Sequence, residues 1–258
     1  MYRDYKPQKS ASWGKVAKWY DSLLEKEQNT YQKYLILPNL LRLLDIKKRE
    51  TILDLACGQG FFTREFSKLG ARVAGSDISK ELIDIAKKYG PSTVSYYVSP
   101  AETMPFMSGS SIDKIVMILA IQNIENFHGV IKECGRILKR KGKIYAVLNH
   151  PAFRIPKVSS WGWDDSQKIQ YRRIDSYLTE SRAKIQMHPG SKHNEITWSY
   201  HRPLQYYSKA LFKNNFCISR IEEWNSHKKS EEGPRSEAED KARREIPLFM
   251  FIEAIKQS

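Results

Sequence analysis

Two acidic side chains frame a glycine turn. Asp54 stands within Leu53-Asp54-Leu55-Ala56-Cys57-Gly58-Gln59-Gly60, and Asp77 follows after a second apolar run, 71–76. Gly58 and Gly60 let a ligand lie against backbone, because glycine lacks a Cβ and accepts strained φ/ψ. An acid about twenty residues beyond such a turn is placed to hold a pair of ribose hydroxyls. A dinucleotide fingerprint would carry a third glycine where this chain has Thr63, and a phosphate loop would carry Lys-Ser/Thr after the turn. Neither is present, so the pattern suits a ligand with a ribose and no pyrophosphate.

Further groups stand elsewhere in the chain. His150 ends an apolar run at 143–149, and His201 precedes an apolar-periodic stretch at 204–214. Both are candidate general bases, since an unperturbed imidazole titrates near about 6.5; fixing a loop by hydrogen bonding is the competing role. Arg154, Arg172, Arg173 and Arg202 are candidates to grip a carboxylate or phosphate through the guanidinium fork, with solvated and structural roles competing for each. Trp161, Trp163, Tyr171 and Tyr177 suit either a lid over an apolar or aromatic substrate or a small core of their own segment. Cys57, Cys134 and Cys217 have no metal-ligand spacing, and no metal site is expected. Their odd number, without a secretion signal, reads as a reduced, cytoplasmic protein.

The elements that must position these groups alternate. Residues 15–28 and 31–45 read as N-terminal helices, the second interrupted by Pro38. Strand 51–55, helix 61–69, strand 71–76, helix 79–89, strand 93–98, strand 112–119, helix 127–138 and strand 143–149 follow. Ser79 is a candidate N-cap. Runs such as Ile115-Val116-Met117-Ile118-Leu119 suit strands covered on both faces. The alternation predicts an α/β, doubly wound, mostly parallel sheet that binds ligands at the carboxyl ends of its strands. After His150 the period is lost, and 151–200 reads as an insertion with one or two hairpin strands near 196–201. A helix at 204–214 and strands at 216–224 and 246–256 complete the sheet, the last antiparallel. The charged stretch between those strands, 226–245, reads as a mobile connection.

Composition narrows the classes. No apolar run approaches the roughly 18 residues of a membrane span. The net charge is +14 over 258 residues, but the basic residues are spread along the whole chain. Nucleic acid is a possible partner on that ground and not the favoured one.

The motifs carry a resemblance. LDLACGQGFFT and GSDIS resemble the first two motifs of class I S-adenosylmethionine (SAM)-dependent methyltransferases. AETMPF and SSIDKIVMILAIQNIEN resemble the third and fourth, closest to the small-molecule branch that includes ubiquinone- and menaquinone-biosynthesis methyltransferases. The similarity covers roughly residues 15–150, and HRPLQYYSKALFKNNF (201–216) resembles a recurrent element of the same branch. The resemblance implies one Rossmann-like domain over 1–258 with a seven-stranded sheet. Residues 15–45 would form a helical cap, 46–150 the SAM-binding core, 151–200 a substrate lid and 201–258 the completion of the sheet.

It also implies SAM as cofactor, S-adenosylhomocysteine as product and a small-molecule methyl acceptor. Ala56, Gly58 and Gly60 would lie along the methionine and ribose, and Asp54 would accept from the loop or the cofactor amine. Asp77 would take both ribose hydroxyls, Ile78 would pack on the adenine, and Ala101 and Glu102 would border it. Leu119 would meet the amino-acid end. Tyr20, in Trp19-Tyr20-Asp21, resembles an element that folds over SAM, where an aromatic face attracts the sulfonium. Pro100 departs from the pattern where relatives carry Asp, and Asn123 where many carry His. Whether oxygen, nitrogen or carbon is methylated stays open, as does the oligomeric state. The alternatives are an RNA-modifying methyltransferase and a non-catalytic SAM-binding protein.

Overall fold

We describe residues 12–26, 29–187 and 195–257 in a computed structural model. A seven-stranded sheet forms the centre, built from β1 (Thr51–Leu55), β2 (Arg72–Asp77), β3 (Ser95–Val98), β4 (Ile112–Ile118), β5 (Leu138–Asn149), β10 (Phe216–Trp224) and β11 (Phe249–Lys256). Its order is β10-β11-β5-β4-β1-β2-β3. β11 runs antiparallel to both neighbours and the remaining pairs are parallel. The order reverses between β1 and β4, so a crevice opens at their carboxyl ends, where open α/β sheets bind ligands.

Side-chain alternation along the strands feeds two apolar layers. Leu53, Ile115 and Ala146 face a cluster completed by α6 (Phe127–Ile137) and α7 (Leu204–Lys213). Their neighbours Ile52, Val116 and Val147 face the opposite cluster with α3 (Leu37–Leu44), α4 (Phe61–Ser67) and α5 (Lys80–Tyr89). Emptying one such buried leucine position to alanine costs roughly 2–5 kcal/mol. Ser79 caps α5, its Oγ accepting from the Leu82 N–H at 3.2 Å.

At the N-terminus, α1 (Ser12–Lys15) and α2 (Ala17–Lys26) cross the carboxyl side of the sheet near α5. The helix expected over 31–45 divides: Gln32–Ile36 is a π-helical turn and α3 follows. Pro38 has no N–H to donate, so the hydrogen-bond register widens before it rather than merely kinking. The end of α3 is tied to β4 by buried Lys114, whose Nζ donates to the Leu44 carbonyl at 2.7 Å and to Glu50 Oε2 at 2.6 Å.

Two expectations are corrected. The 151–200 insertion holds four strands, not one or two: β6 (Ser159–Asp164) pairs with β7 (Ile169–Ile174), and β8 (Ser181–Gln186) with β9 (Ile196–His201). Their half-exposed faces mix Trp, Tyr, Arg and Ser, which hides the alternation that marks a strand in a hydropathy reading. The 226–245 stretch contains α8 (Ser236–Glu245), with acids in its first turn and arginines in its last, as the helix dipole favours. Its amide Ser230 N–H also donates to Asp240, so charge here marks a helix with side-chain ties rather than a mobile linker.

Candidate active site

The turn after β1 is held from both sides by carboxylates. Asp77, at the end of β2, accepts the Gly58 N–H through Oδ2 at 2.9 Å and the Ser79 N–H through Oδ1 at 2.8 Å. A carboxylate has about four acceptor sites, so each oxygen keeps one for a ligand hydroxyl. Asp54 lies behind the turn and accepts the Thr63 hydroxyl. That bond explains why a threonine stands where a dinucleotide loop carries glycine. Burial raises both carboxyl pKa values; for Asp54 the rise is to about 7, opposed by the Thr63 hydrogen bond and reinforced by Asp77. Ala56 (φ 59°) and Gly58 (φ 57°) both adopt left-handed backbone. An added Cβ on Gly60 would come within 2.9 Å of the Tyr96 hydroxyl and 3.1 Å of the Ala86 methyl. Gly60 therefore seats the loop on β3 and α5, whereas Gly58 faces Tyr20.

A cavity of about 130 Å³ opens against this turn, walled by Tyr20, Ala56, Gly58, Asp77, Ile78 and Leu119, among others. Six of the expected cofactor residues thus converge. Asp54 and Gly60 support the turn from behind, Ala101 is buried in the sheet layer near Met104, and Glu102 lines a separate groove with Pro100 along α6. Trp13 and Leu82 also wall the cavity. Trp13 lies in a stretch whose sequence has no period long enough to show α1; its ring meets Tyr20 edge-on at 5.5 Å. Burial pushes the Tyr20 phenol up to about 12, against a hydrogen bond from Gln32, so it stays neutral.

The cavity shares Trp13, Tyr20, Leu119 and Asn123 with a second hollow of about 500 Å³. Residues 154–159, Arg172, and the hairpin of β8 and β9 form its far wall. Together the two spaces fall within the roughly 300–1,000 Å³ of small-molecule sites. Leu119, at the junction, has φ 53°, a left-handed conformation that costs a branched residue on the order of 1–3 kcal/mol. It is held by its N–H to Val147 and by Gln122 Nε2 on its carbonyl. The Gln122 Oε1 is buried without a partner.

His150 and His201 line neither hollow. His150 is buried; its Nδ1 accepts the Ala152 and Phe153 N–H groups, leaving Nε2 to donate to Glu223 at 2.6 Å. Burial lowers its pKa, partly offset by Glu223. His201 Nε2 meets the Tyr177 carbonyl at 2.7 Å. Buried Arg202 donates to the carbonyls of Ile121, Ile124 and Glu125, pinning the loop after β4. Trp161, Trp163, Tyr171 and Tyr177 also lie outside the larger hollow's lining; Trp161 instead carries Arg172 over its ring, and Trp163 carries Arg235. Among the described residues, no group of His, Cys, Asp and Glu could hold a metal ion.

The strand order and the turn geometry coincide with a match of residues 53–146 to the methyltransferase-domain family. Over residues 53–146 this chain resembles a methyltransferase domain. The chain is 29% identical over 171 residues to the biotin biosynthesis bifunctional protein BioHC of Cellvibrio japonicus, covering 66% of this chain and 31% of that protein. It is 28% identical over 113 residues to the demethylmenaquinone methyltransferase of Tropheryma whipplei, covering 43% and 46%. The chain thus spans about a third to just under half of the length of these curated relatives. An S-adenosylmethionine-dependent methyltransferase structure from Mesorhizobium loti superposes with TM-score 0.69 at 23% identity, over 88% of this chain and 100% of the other. At that identity the likeness establishes the methyltransferase fold.

Proposed function

We propose that the chain is a SAM-dependent methyltransferase acting on a small organic acceptor, as one domain in which 46–150 bind the donor and 151–200 cover the acceptor. The observation that supports this reading is the pair of hollows joined at Tyr20, Leu119 and Asn123, one backed by Asp77 and the other by the inserted hairpins. SAM, when bound, supplies an already activated methyl group on a sulfonium. The residues here have four tasks. Asp77 would anchor the ribose through its two remaining acceptor positions. Ala56 and Gly58 would admit the amino-acid end, and Ile78 would cover the adenine. Tyr20 and Trp13 would exclude water and face the cation with aromatic rings.

Alignment of nucleophile, carbon and sulfur in a dry pocket can supply up to roughly 7–11 kcal/mol, so no covalent help from a side chain is required. Gln122 Oε1, buried and unpartnered, is our candidate to accept a hydrogen bond from the acceptor. We assign His150 and His201 to holding the lid rather than to proton transfer, because both His150 ring nitrogens and His201 Nε2 are engaged within the protein and neither residue lines a hollow.

The deciding experiment is a thermal shift with SAM, S-adenosylhomocysteine, NAD and NADP in parallel, on the chain and on Asp77→Ala. A ligand at about 100 times its Kd adds roughly 2.7 kcal/mol, a rise of roughly 5–10 °C for a chain this size. The expected result is a shift with the two sulfur nucleosides alone. Asp77→Ala should weaken it by one to two powers of ten in affinity, in line with about 1.5–3 kcal/mol for charged hydrogen bonds. A shift with NAD or NADP instead would replace this reading with a nicotinamide one.

A further inference from the structure

Three cationic side chains, Arg154, Lys157 and Arg172, line the larger hollow, and no described carboxylate lines it. Elsewhere in the fold, cations drawn out of water are matched. Lys114 meets Glu50, Lys143 meets Glu253, and Arg202 meets three carbonyls. Arg154 is the contrast. Among the described residues its side chain makes no hydrogen bond and no ion pair, and its only favourable electrostatic neighbour is the Tyr31 phenol. Arg154 as a whole is exposed and open to the hollow, while the protein around it lowers its pKa by desolvation.

Arg172 stands close by. Burial and the charge of Arg154 both lower its pKa, so the two guanidinium groups repel each other across the same space. Arg172 is nevertheless fixed: Nε donates to the Phe153 carbonyl at 2.8 Å, Nη2 to Ser159 Oγ at 2.8 Å, and the guanidinium lies 5.1 Å from the Trp161 ring centre. Two like charges lining one cavity without a carboxylate raise each other's cost, and an anion between them relieves it. A planar guanidinium fork matches a carboxylate or phosphate with two parallel N–H donors.

We propose that Arg154 and Arg172 form an anion subsite, so that the methyl acceptor carries a carboxylate or phosphate group. This rests on the larger hollow being the acceptor pocket. An anion held there orients the rest of the acceptor toward Tyr20 and Leu119, where the two hollows meet.

The test is calorimetric titration of the whole chain, saturated with S-adenosylhomocysteine, with benzoate, inorganic phosphate and neutral benzamide at constant ionic strength. The expected result is saturable binding of one equivalent of benzoate or phosphate, with benzamide at least tenfold weaker. The stronger of the two anions tells a carboxylate acceptor from a phosphate one. Arg154→Gln should lower anion affinity at least tenfold and leave nucleoside affinity unchanged; Arg154→Lys should recover part of it. Among the described residues the Arg154 side chain makes no bond to the fold, so these variants are expected to melt like the parent chain. Equal binding of benzoate and benzamide, or anion affinity indifferent to Arg154→Gln, overturns the proposal. So does a chain that binds the nucleoside and no anion. Arginine-dependent anion binding by a chain that takes no sulfur nucleoside would uphold the subsite and refute the methyltransferase reading.

Discussion

Asp54 and Asp77 differ in what they face, and the difference has a measurable consequence in pH. Asp77 borders the smaller hollow, while Asp54 is sealed behind the turn with Thr63. In the folded chain Asp54 keeps its proton up to about pH 7, far above its ordinary value of 3.8. Between those values the folded state binds more protons than the unfolded chain, so stability falls as pH rises through that window. The stabilisation is complete below the unfolded value and is lost above about pH 7. The slope is at most about 1.4 kcal/mol per pH unit for one proton. Asp77 is shifted in the same direction and adds to the fall. The melting temperature of the ligand-free chain should therefore drop between pH 5 and pH 8. Asp54→Asn should make the drop shallower; a variant that follows the parent curve would place the titrating group elsewhere.

Among the elements, most of those around the Asp77 turn were legible and most of those in the 151–200 insertion were not. β1, β2 and β4 are buried on both faces, and so they announce themselves as apolar runs ending at Gly58, Asp77 and Leu119. β9 and β10 fall where the sequence places them, at 196–201 and 216–224. β6, β7 and β8 escaped because small, half-solvated sheets need no alternation of apolar and polar residues. The role of Gly60 was hidden for another reason: a glycine required by its neighbours Tyr96 and Ala86 reads the same as one required by a ligand. Arg154 and Arg172 stand among the four candidate anion-gripping arginines of the sequence, which shows where cations are but not which of them share a cavity without carboxylates. Arg202 joins the two halves, linking the segment between β9 and α7 to the loop after β4 by three hydrogen bonds. Arg202→Ala removes charged bonds worth about 1.5–3 kcal/mol each and leaves buried carbonyls unpaired. The chain should lose several degrees of melting temperature and acceptor affinity together. An unchanged melting temperature would show that the loop is held by something else.

Across the whole molecule, the charge of +14 comes from basic residues spread along the sequence. Many of the basic side chains are already paired with acids, as in Arg42–Glu222, Lys80–Asp84 and Lys139–Asp113. No described helix is long and apolar enough to cross a membrane. Association with RNA is expected to be non-specific and to vanish between 50 and 200 mM salt in a filter-binding assay, as phosphate contacts alone dictate. Affinity that survives about 200 mM would favour an RNA substrate over a small molecule. The walls of the two hollows come from different stretches of chain, overlapping at Trp13, Tyr20, Leu119 and Asn123. On the proposed reading, that division lets mutations in 154–187 and 195–199 retune which acceptor is taken while the walls around Asp77 stay unchanged. Inheritance of the reaction and inheritance of its target would then be carried largely on separate segments that meet at those four residues.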